Sequence, residues 1–351
     1  MTAKNSAQPT NFARPKNSAQ PVGHPPVKPP IHTLRAQVVS LDRGYPLVRS
    51  EGGEQRAQHA TQLIKQDNTR AAVGDFVLIS QEPTQEIATI DAILPRRSVL
   101  VRRQAPPGGA ETSGKPLEQI LATNFDFVMI VQSLGHRPLD VDYLERQLVM
   151  GLQSGEPVFV LLTKADLARH PVADRAAARA AARNCEVFVY TTGDVATNRH
   201  FDLKLANVNS SIELAALFLP NKTGVLLGRS GVGKSSFVNR LILTEQLSTA
   251  SVRAKDRAGR HTTVARKLVD LPQGGQVIDT PGLRSVGIYG DTLGLALAFS
   301  DITAVAAECK YRNCSHRHEP DCAVAAAVAS GAIPARRLHS YRALAREVEG
   351  I

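Results

Sequence analysis

The run GRSGVGKSS sets Gly228, Gly233, Lys234 and Ser235 in the pattern G-x-x-x-x-G-K-[ST], after the apolar run TGVLL and before the helix-like run SSFVNRLIL. Such a strand-loop-helix transition is built for phosphate. Its glycines let the backbone N–H groups from Gly228 through Arg229, Ser230, Gly231, Val232 and Gly233 to Ser236 face a phosphate chain. Lys234 can reach the β- and γ-phosphates, and the Ser235 hydroxyl can ligate Mg²⁺. Forty-five residues after Lys234, Asp279-Thr280-Pro281-Gly282 closes the apolar run QVI. An acid at a strand tip beside a phosphate loop suits a second, water-mediated Mg²⁺ contact, and the Gly282 amide suits the γ-phosphate.

A third motif reads the base. The run PVFVLL ends in Thr163-Lys164-Ala165-Asp166, matching [NT]-K-x-D. An Asp carboxylate accepts from both N1–H and the exocyclic amine of guanine, whereas adenine offers no matching donors. Conventional GTPases carry this motif after the phosphate loop, but here Lys164 lies seventy residues before Lys234. Both can serve one nucleotide only if the domain is circularly permuted, an inexpensive rearrangement because domain termini usually lie close together. The loop after Asp279 then leads straight into the C-terminal part, so hydrolysis can move that part with few intermediaries.

The basic segment RAKDRAGRHTTVARKLVDL lies where a switch loop must supply a threonine, so the expected Mg²⁺ set is Ser235, Asp279 and Thr262, with Thr263 as the open alternative. Leu283 follows Gly282 where many GTPases carry a water-orienting Gln, and an aliphatic side chain cannot orient water, so slow intrinsic turnover is expected.

Near the C-terminus CKYRNCSHRHEPDC gives Cys309, Cys314, His316 and Cys322 in C-x4-C-x-H-x5-C spacing. Three thiolates and an imidazole suit one tetrahedral, structural Zn²⁺, with His318 as a spare ligand. Lys310, Arg312, Arg317, Arg336, Arg337, Arg342 and Arg346 surround it and read as a basic surface suited to phosphates. Cys185 stands alone and reads as a buried apolar residue.

The elements that must hold these motifs follow from periodicity. The 351 residues suggest two or three domains, and 42 Lys and Arg against 32 Asp and Glu, a net charge of +10, suggest a polyanionic partner. Residues 1–33, with KNSAQP repeated and a Pro-rich run, read as a disordered tail. Residues 34–104 carry short apolar alternations broken by Gly, Pro, Asn and Asp. An OB-type barrel fits best, with an SH3-like or other small β-domain as the alternative. The linker-like QAPPGGAETSGKPLE, residues 104–118, leads into the segment 105–295, which then alternates FVMIV, PVFVLLT, EVFVYT, TGVLLG and QVIDT with helical stretches, one of them interrupted near Pro171. That is the pattern of a parallel sheet covered on both faces. Residues 296–351 form a mainly helical metal-bearing part. Without an apolar run near the ~20 residues of a membrane span, and with a polar start, a cytoplasmic location is expected.

With GRSGVGKSS, TKADL, GRHTT, IDTPGLRSVG and C-x4-C-x-H-x5-C in this permuted order, the chain from about residue 34 to its end resembles the ribosome small-subunit-dependent GTPase A family, RsgA or YjeQ. The resemblance implies an N-terminal OB domain, a central permuted GTPase and a C-terminal zinc domain. It further implies a GTP hydrolase that acts in late maturation of the small ribosomal subunit, binds its rRNA, is accelerated by it and then leaves, working as a monomer. By the same carry-over His261, within GRHTT, positions the attacking water beside the catalytic Lys234. One departure concerns the loop supporting the base, where VYTTGD offers only Thr191, Thr192 and Gly193. Two rival readings stay open: an RNA-binding protein holding nucleotide as a structural ligand, and a P-loop ATPase acting on RNA.

Overall fold

The computed structural model describes residues 33–41, 45–67, 70–81, 86–104, 117–191, 214, 217, 221–243, 266–272, 274–280, 287–288 and 292–349. The repeated N-terminal run, the linker-like segment 105–116 and the switch segment up to residue 265 lie outside these residues.

The first strands are β1 (Leu34–Leu41), β2 (Leu47–Ser50), β3 (Gly53–His59), β4 (Phe76–Ser80) and β5 (Ala88–Ile93), with the short helix α1 (Thr61–Asp67) between β3 and β4. They pair in the order β1-β2-β3-β5-β4, and β4 returns to β1, closing a five-stranded barrel. The β3–β5 pair is parallel and the others antiparallel. Alternate residues fill the interior, including Val38, Val48, Ala57, Val77, Ile79, Ala88 and Ile90, as the period of a pleated strand requires. The register of β1 against β2 shifts between Val38 and Ser40. Beyond this irregularity Ser40 and Leu41 pair with Lys267 and Arg266 of β12 (Arg266–Asp270), so one strand belongs to the barrel and to the large sheet at once. Bulges commonly re-aim a strand in this way.

The hairpin β6 (Val99–Gln104) with β7 (Leu117–Thr123) follows the barrel, and the linker-like run lies between its strands. The barrel is tied to it at Gly74, whose φ is +98° and where a Cβ would lie 2.1 Å from the Thr123 carbonyl oxygen.

The apolar runs of the next segment form β8 (Phe127–Ser133), β9 (Val158–Thr163), β10 (Glu186–Val189), β11 (Thr223–Leu227) and β13 (Gln276–Asp279). They stand in the order β10-β9-β8-β11-β13, all parallel, with β12 antiparallel at the end. β8 and β11 are buried almost throughout, as expected of strands covered on both faces. Alternation sorts their side chains. Val128 and Ile130 face α2 (Val141–Leu152) and α3 (Pro171–Ala182) through Leu144, Leu148, Ala178 and Ala181. Phe127, Met129 and Val131 face α4 (Lys234–Leu243) through Phe237 and Leu241.

The interruption expected near Pro171 is a helix start: a short 3₁₀ turn at Ala165–Leu167 is followed by α3 with Pro171 in its first turn. There the missing N–H of proline costs no helical hydrogen bond.

The C-terminal part comprises α5 (Leu293–Ala298), α6 (Ser300–Ala306), α7 (Ala323–Ala329) and α8 (Ala335–Glu349). It packs directly on α2. At Gly294 a Cβ would lie 2.2 Å from the Val149 carbonyl oxygen, so only glycine permits this approach. Leu295, Phe299, Ile302, Leu338 and Leu344 join the same core as Leu144 and Leu148. Among the described residues no helix is long and apolar enough to cross a membrane.

Candidate nucleotide site and metal centre

The phosphate-loop motif follows β11, the strand between β8 and β13, and α4 opens at Lys234. Gly231 and Gly233 have φ of +80° and +100°, a region that glycine reaches without strain. Gly228 answers a packing demand, since a Cβ there would sit 2.5 Å from the Val131 carbonyl oxygen on β8. The Lys234 amine donates to the carbonyls of Gly228 (2.9 Å) and Arg229 (3.0 Å). Its burial lowers its pKa, with Asp279 opposing that shift.

The TKAD tip lies against the same loop. The Thr163 hydroxyl is in hydrogen-bond contact with the Val232 carbonyl and with the Gln132 carbonyl (3.2 Å), and the Lys164 amine donates to the Gly231 carbonyl at 2.6 Å. Residues 67 and 69 positions apart are thus in direct contact, despite the shuffled order of the motifs. Lys164 takes a left-handed backbone (φ 55°), and the 3₁₀ turn carries Ala165 and Asp166 past the strand end. Thr191 donates to the Asp166 carboxylate at 2.5 Å. Thr192 and Gly193 lie outside the described residues.

On the other side Ser235 donates to Asp279 Oδ2 at 3.0 Å. Burial raises the Asp279 pKa, while the Ser235 hydrogen bond and the Lys234 charge act the other way. Its Oδ1 is buried without a hydrogen-bond partner, and an orphaned carboxylate oxygen of this kind needs a cation, a donor or water. Thr280 is anchored inward, its hydroxyl donating to the Leu226 carbonyl at 2.5 Å. His261, Thr262, Thr263, Gly282 and Leu283 lie outside the described residues.

Sequence reasoning gave Arg229 only a backbone role. Its guanidinium stacks 3.6 Å from the Tyr143 ring centroid and pairs with Asp140 at 3.1 Å. Asp140 is the N-cap of α2, accepting the Tyr143 amide at 3.1 Å. A P-loop pattern leaves that position open, so no signal existed for this contact.

The Cys and His ligand atoms gather as the spacing implied. All four of Cys309, Cys314, His316 and Cys322 place one such atom within 4.8 Å of the others. Cys309 Sγ lies 3.6 Å from His316 Nδ1 and 3.9 Å from Cys322 Sγ, and Cys322 Sγ lies 3.5 Å from His316 Nδ1. For Zn–S of about 2.3 Å and Zn–N of about 2.0–2.1 Å the edges of a tetrahedron come to roughly 3.6–3.8 Å, close to the separations among Cys309, His316 and Cys322, and Cys314 completes a donor set of the kind that takes that ion. His318 is exposed and stays outside the group. The binding loop is shaped by Glu319, which accepts from the Ser315 hydroxyl and amide and from the amides of Arg317 and His318. These bonds, the Ser315 hydroxyl foremost, hold its carboxyl far below the usual range. Cys185 is half-buried against the core, and burial pushes its thiol up to about 11.

The basic surface expected around the cluster needs correction. Arg337 is buried. It donates to both Asp301 oxygens (2.6 and 2.7 Å), to Glu145 (2.9 Å) and to the Ala298 carbonyl (2.8 Å). Arg336 pairs with Asp142 and Glu145, and Lys310 with Asp321. Glu145 and Asp142 belong to α2, so Arg336 and Arg337 hold the C-terminal part to the sheet domain. Charge counts along a sequence cannot reveal such partners. Only Arg337 is removed from the surface: Lys310, Arg312, Arg317, Arg336 and Arg346 remain exposed.

Comparison with known proteins agrees with this geometry. The family model described as RsgA GTPase matches residues 93–289. The small ribosomal subunit biogenesis GTPase RsgA of Streptomyces avermitilis is 38% identical over 322 residues, covering 91% of this chain and 80% of that one. The protein of the same name from Methanosarcina acetivorans is 38% identical over 276 residues, covering 79% and 69%. Among solved structures, YjeQ from Thermotoga maritima superposes with a TM-score of 0.61 at 20% identity, covering 91% of this chain and all of that one. YloQ, a circularly permuted GTPase, gives 0.56 at 23% identity, covering 91% and 96%. These two likenesses speak for the fold. With the relatives' identity and the extent of the family match, they lead to one conclusion: the chain belongs to the RsgA GTPase family.

Proposed function

We propose that this chain is a GTP hydrolase that acts as a late-stage assembly factor of the small ribosomal subunit and is accelerated by it. The observation that carries the reading is the contact of Thr163 and Lys164 with the carbonyls of Val232 and Gly231. A base-reading motif and a phosphate loop adjoin in space as one nucleotide requires.

In this reading Gly228, Arg229, Ser230, Gly231, Val232, Gly233, Lys234, Ser235 and Ser236 cradle the phosphates through backbone amides, the Lys234 ammonium and the helix start. Thr163, Lys164, Ala165 and Asp166 form the guanine side, with Asp166 discriminating and Thr191 orienting its carboxylate. Ser235 and Asp279 hold Mg²⁺, which would supply charge neutralisation at the phosphates. The buried, unpartnered Asp279 Oδ1 and the Ser235–Asp279 contact fit such an ion. Thr262 or Thr263 takes the switch-threonine role and the Gly282 amide the γ-phosphate role, while His261 positions the attacking water by family resemblance. Lys234 is the charged group at the reacting phosphates.

Cys309, Cys314, His316 and Cys322 take one structural Zn²⁺. The domain reading runs as a tail over 1–33, an OB-type barrel domain over 34–104, the permuted GTPase over 105–295 and the zinc domain over 296–351. Closure through β1–β4 with a parallel β3–β5 pair supports the OB type against an SH3-like barrel. The partner is the small subunit with its rRNA, met as a monomer in the cytoplasm, and the basic excess supports a polyanion.

A GTPase assay titrated with purified small subunits tests the reading. Turnover should be slow alone and rise steeply with subunits, and Lys234→Ala should abolish it. Asp166→Ala should lose the preference for GTP over ATP. Stimulated turnover surviving Lys234→Ala, or an unchanged nucleotide preference in Asp166→Ala, would overturn the assignment.

A further inference from the structure

Gly287 and Ile288 stand eight and nine residues beyond Asp279, at a junction that nucleotide binding alone does not explain. In the last turn of α8 the Glu347 carboxylate accepts the Ile288 amide at 3.0 Å. The same carboxylate pairs with Arg146 of α2 through both oxygens, at 2.6 Å for Oε1. Arg103 of β6 closes the junction, its guanidinium donating to the Glu347 carbonyl at 3.2 Å and its amide to the Gly287 carbonyl at 2.9 Å. Residue 287 packs closely there, since a Cβ would lie 3.0 Å from the Arg103 Cβ and carbonyl oxygen.

Two routes from the nucleotide site therefore end at one side chain. The strand tip at Asp279 leads along the chain to Ile288. The phosphate loop leads through the Arg229 contacts with Asp140 and Tyr143 to α2, where Arg146 lies one turn beyond Tyr143 and on the same face. A charged pair alone would need only Arg146. The amide of Ile288 makes Glu347 a three-way tie, and a shift of residues 287–288 must either break that hydrogen bond or carry α8 with it.

We propose that Glu347 is a positioning residue that couples the nucleotide state to the C-terminal helix, by holding Ile288 and Arg146 at once. This rests on the nucleotide-site reading above. The discriminating feature is that the coupling needs an acceptor for Ile288, whereas a mere staple between α8 and α2 needs only opposite charges.

Hydrogen exchange of residues 335–349 in the full chain, with Mg²⁺ and either GDP or a non-hydrolysable GTP analogue, tests it. Nucleotide affinity is measured alongside by fluorescence titration. The native chain should show different protection with the two nucleotides, and Glu347→Ala should lose the difference while its affinity stays within about twofold. Glu347→Gln keeps an oxygen that can accept from Ile288 but gives up the ion pair with Arg146, so its melting temperature should fall while the difference is kept. Equal protection in the native chain, or loss of the difference in Glu347→Gln, would overturn the coupling. Absence of nucleotide binding by the native chain would overturn the site reading and this inference together, whereas binding without a transmitted difference would overturn this one alone.

Discussion

Thr163 shows how much one hydroxyl decides. It closes the TKAD tip onto the phosphate loop by contacting the Val232 carbonyl, and its methyl and hydroxyl lie beside Gly233, where a Cβ would be 3.4 Å away. Thr163→Val keeps the shape but removes the donor that meets the Val232 carbonyl, at a cost of about 1–3 kcal/mol. The expected outcome is a lower melting temperature and GTP binding weakened on the order of tenfold, ~1.4 kcal/mol, with Thr163→Ser close to native, as measured by thermal melts and nucleotide titration. Asp279 carries a pH dependence. Burial raises its pKa, and in the proposed Mg²⁺-binding role it must be deprotonated. As pH falls through that raised value, Mg²⁺ support of GTP binding should fade at a higher pH than for an ordinary carboxylate. Mg²⁺ titrations at stepped pH check this against Asp279→Asn, which should be weak throughout and lack that step.

At the scale of elements, the glycines of the phosphate loop serve two ends. Gly231 and Gly233 supply positive φ, while Gly228 lets β11 run within contact of β8 before the loop departs. Gly228→Ala should therefore destabilise the sheet by about 1–3 kcal/mol through overpacking, besides impairing nucleotide binding. Denaturant unfolding without nucleotide separates the two effects, and native stability in that variant would contradict the packing role. β12 is the element the sequence concealed. Its run RKLVD is short, half-buried and embedded in a basic segment, so its strand character comes from pairing with β13 and β1 rather than from a strong alternation of its own.

At the scale of the whole molecule, buried charge and the Cys/His cluster fix the C-terminal part. The Arg337 and Glu145 side chains are 3% and 1% exposed, so removing one partner strands the other. Arg337→Ala should cost about 3–5 kcal/mol, read from denaturant curves. Zinc removal should likewise lower the melting temperature, because Cys322 is both a cluster member and the N-cap of α7, its sulfur accepting from the Ala325 amide at 3.4 Å. An unaltered melt after verified metal removal would contradict the structural role.

The sequence by itself determined the motifs, the parallel sheet and the need for permutation. Phosphate loops, guanine readers and Cys/His clusters are local spacings of chemically distinctive residues, and strand runs announce themselves by apolar content. Tertiary structure alone decided which charges are paired and that Arg337 is buried. Arg336 and Arg337 looked like phosphate ligands beside the cluster, yet α2 brings Asp142 and Glu145 to them from nearly two hundred residues away. It also decided the Arg229 contact with α2, the sharing of β1 by two sheets and the tie at Glu347. Each depends on groups whose proximity no spacing encodes, because packing of separate elements sets it.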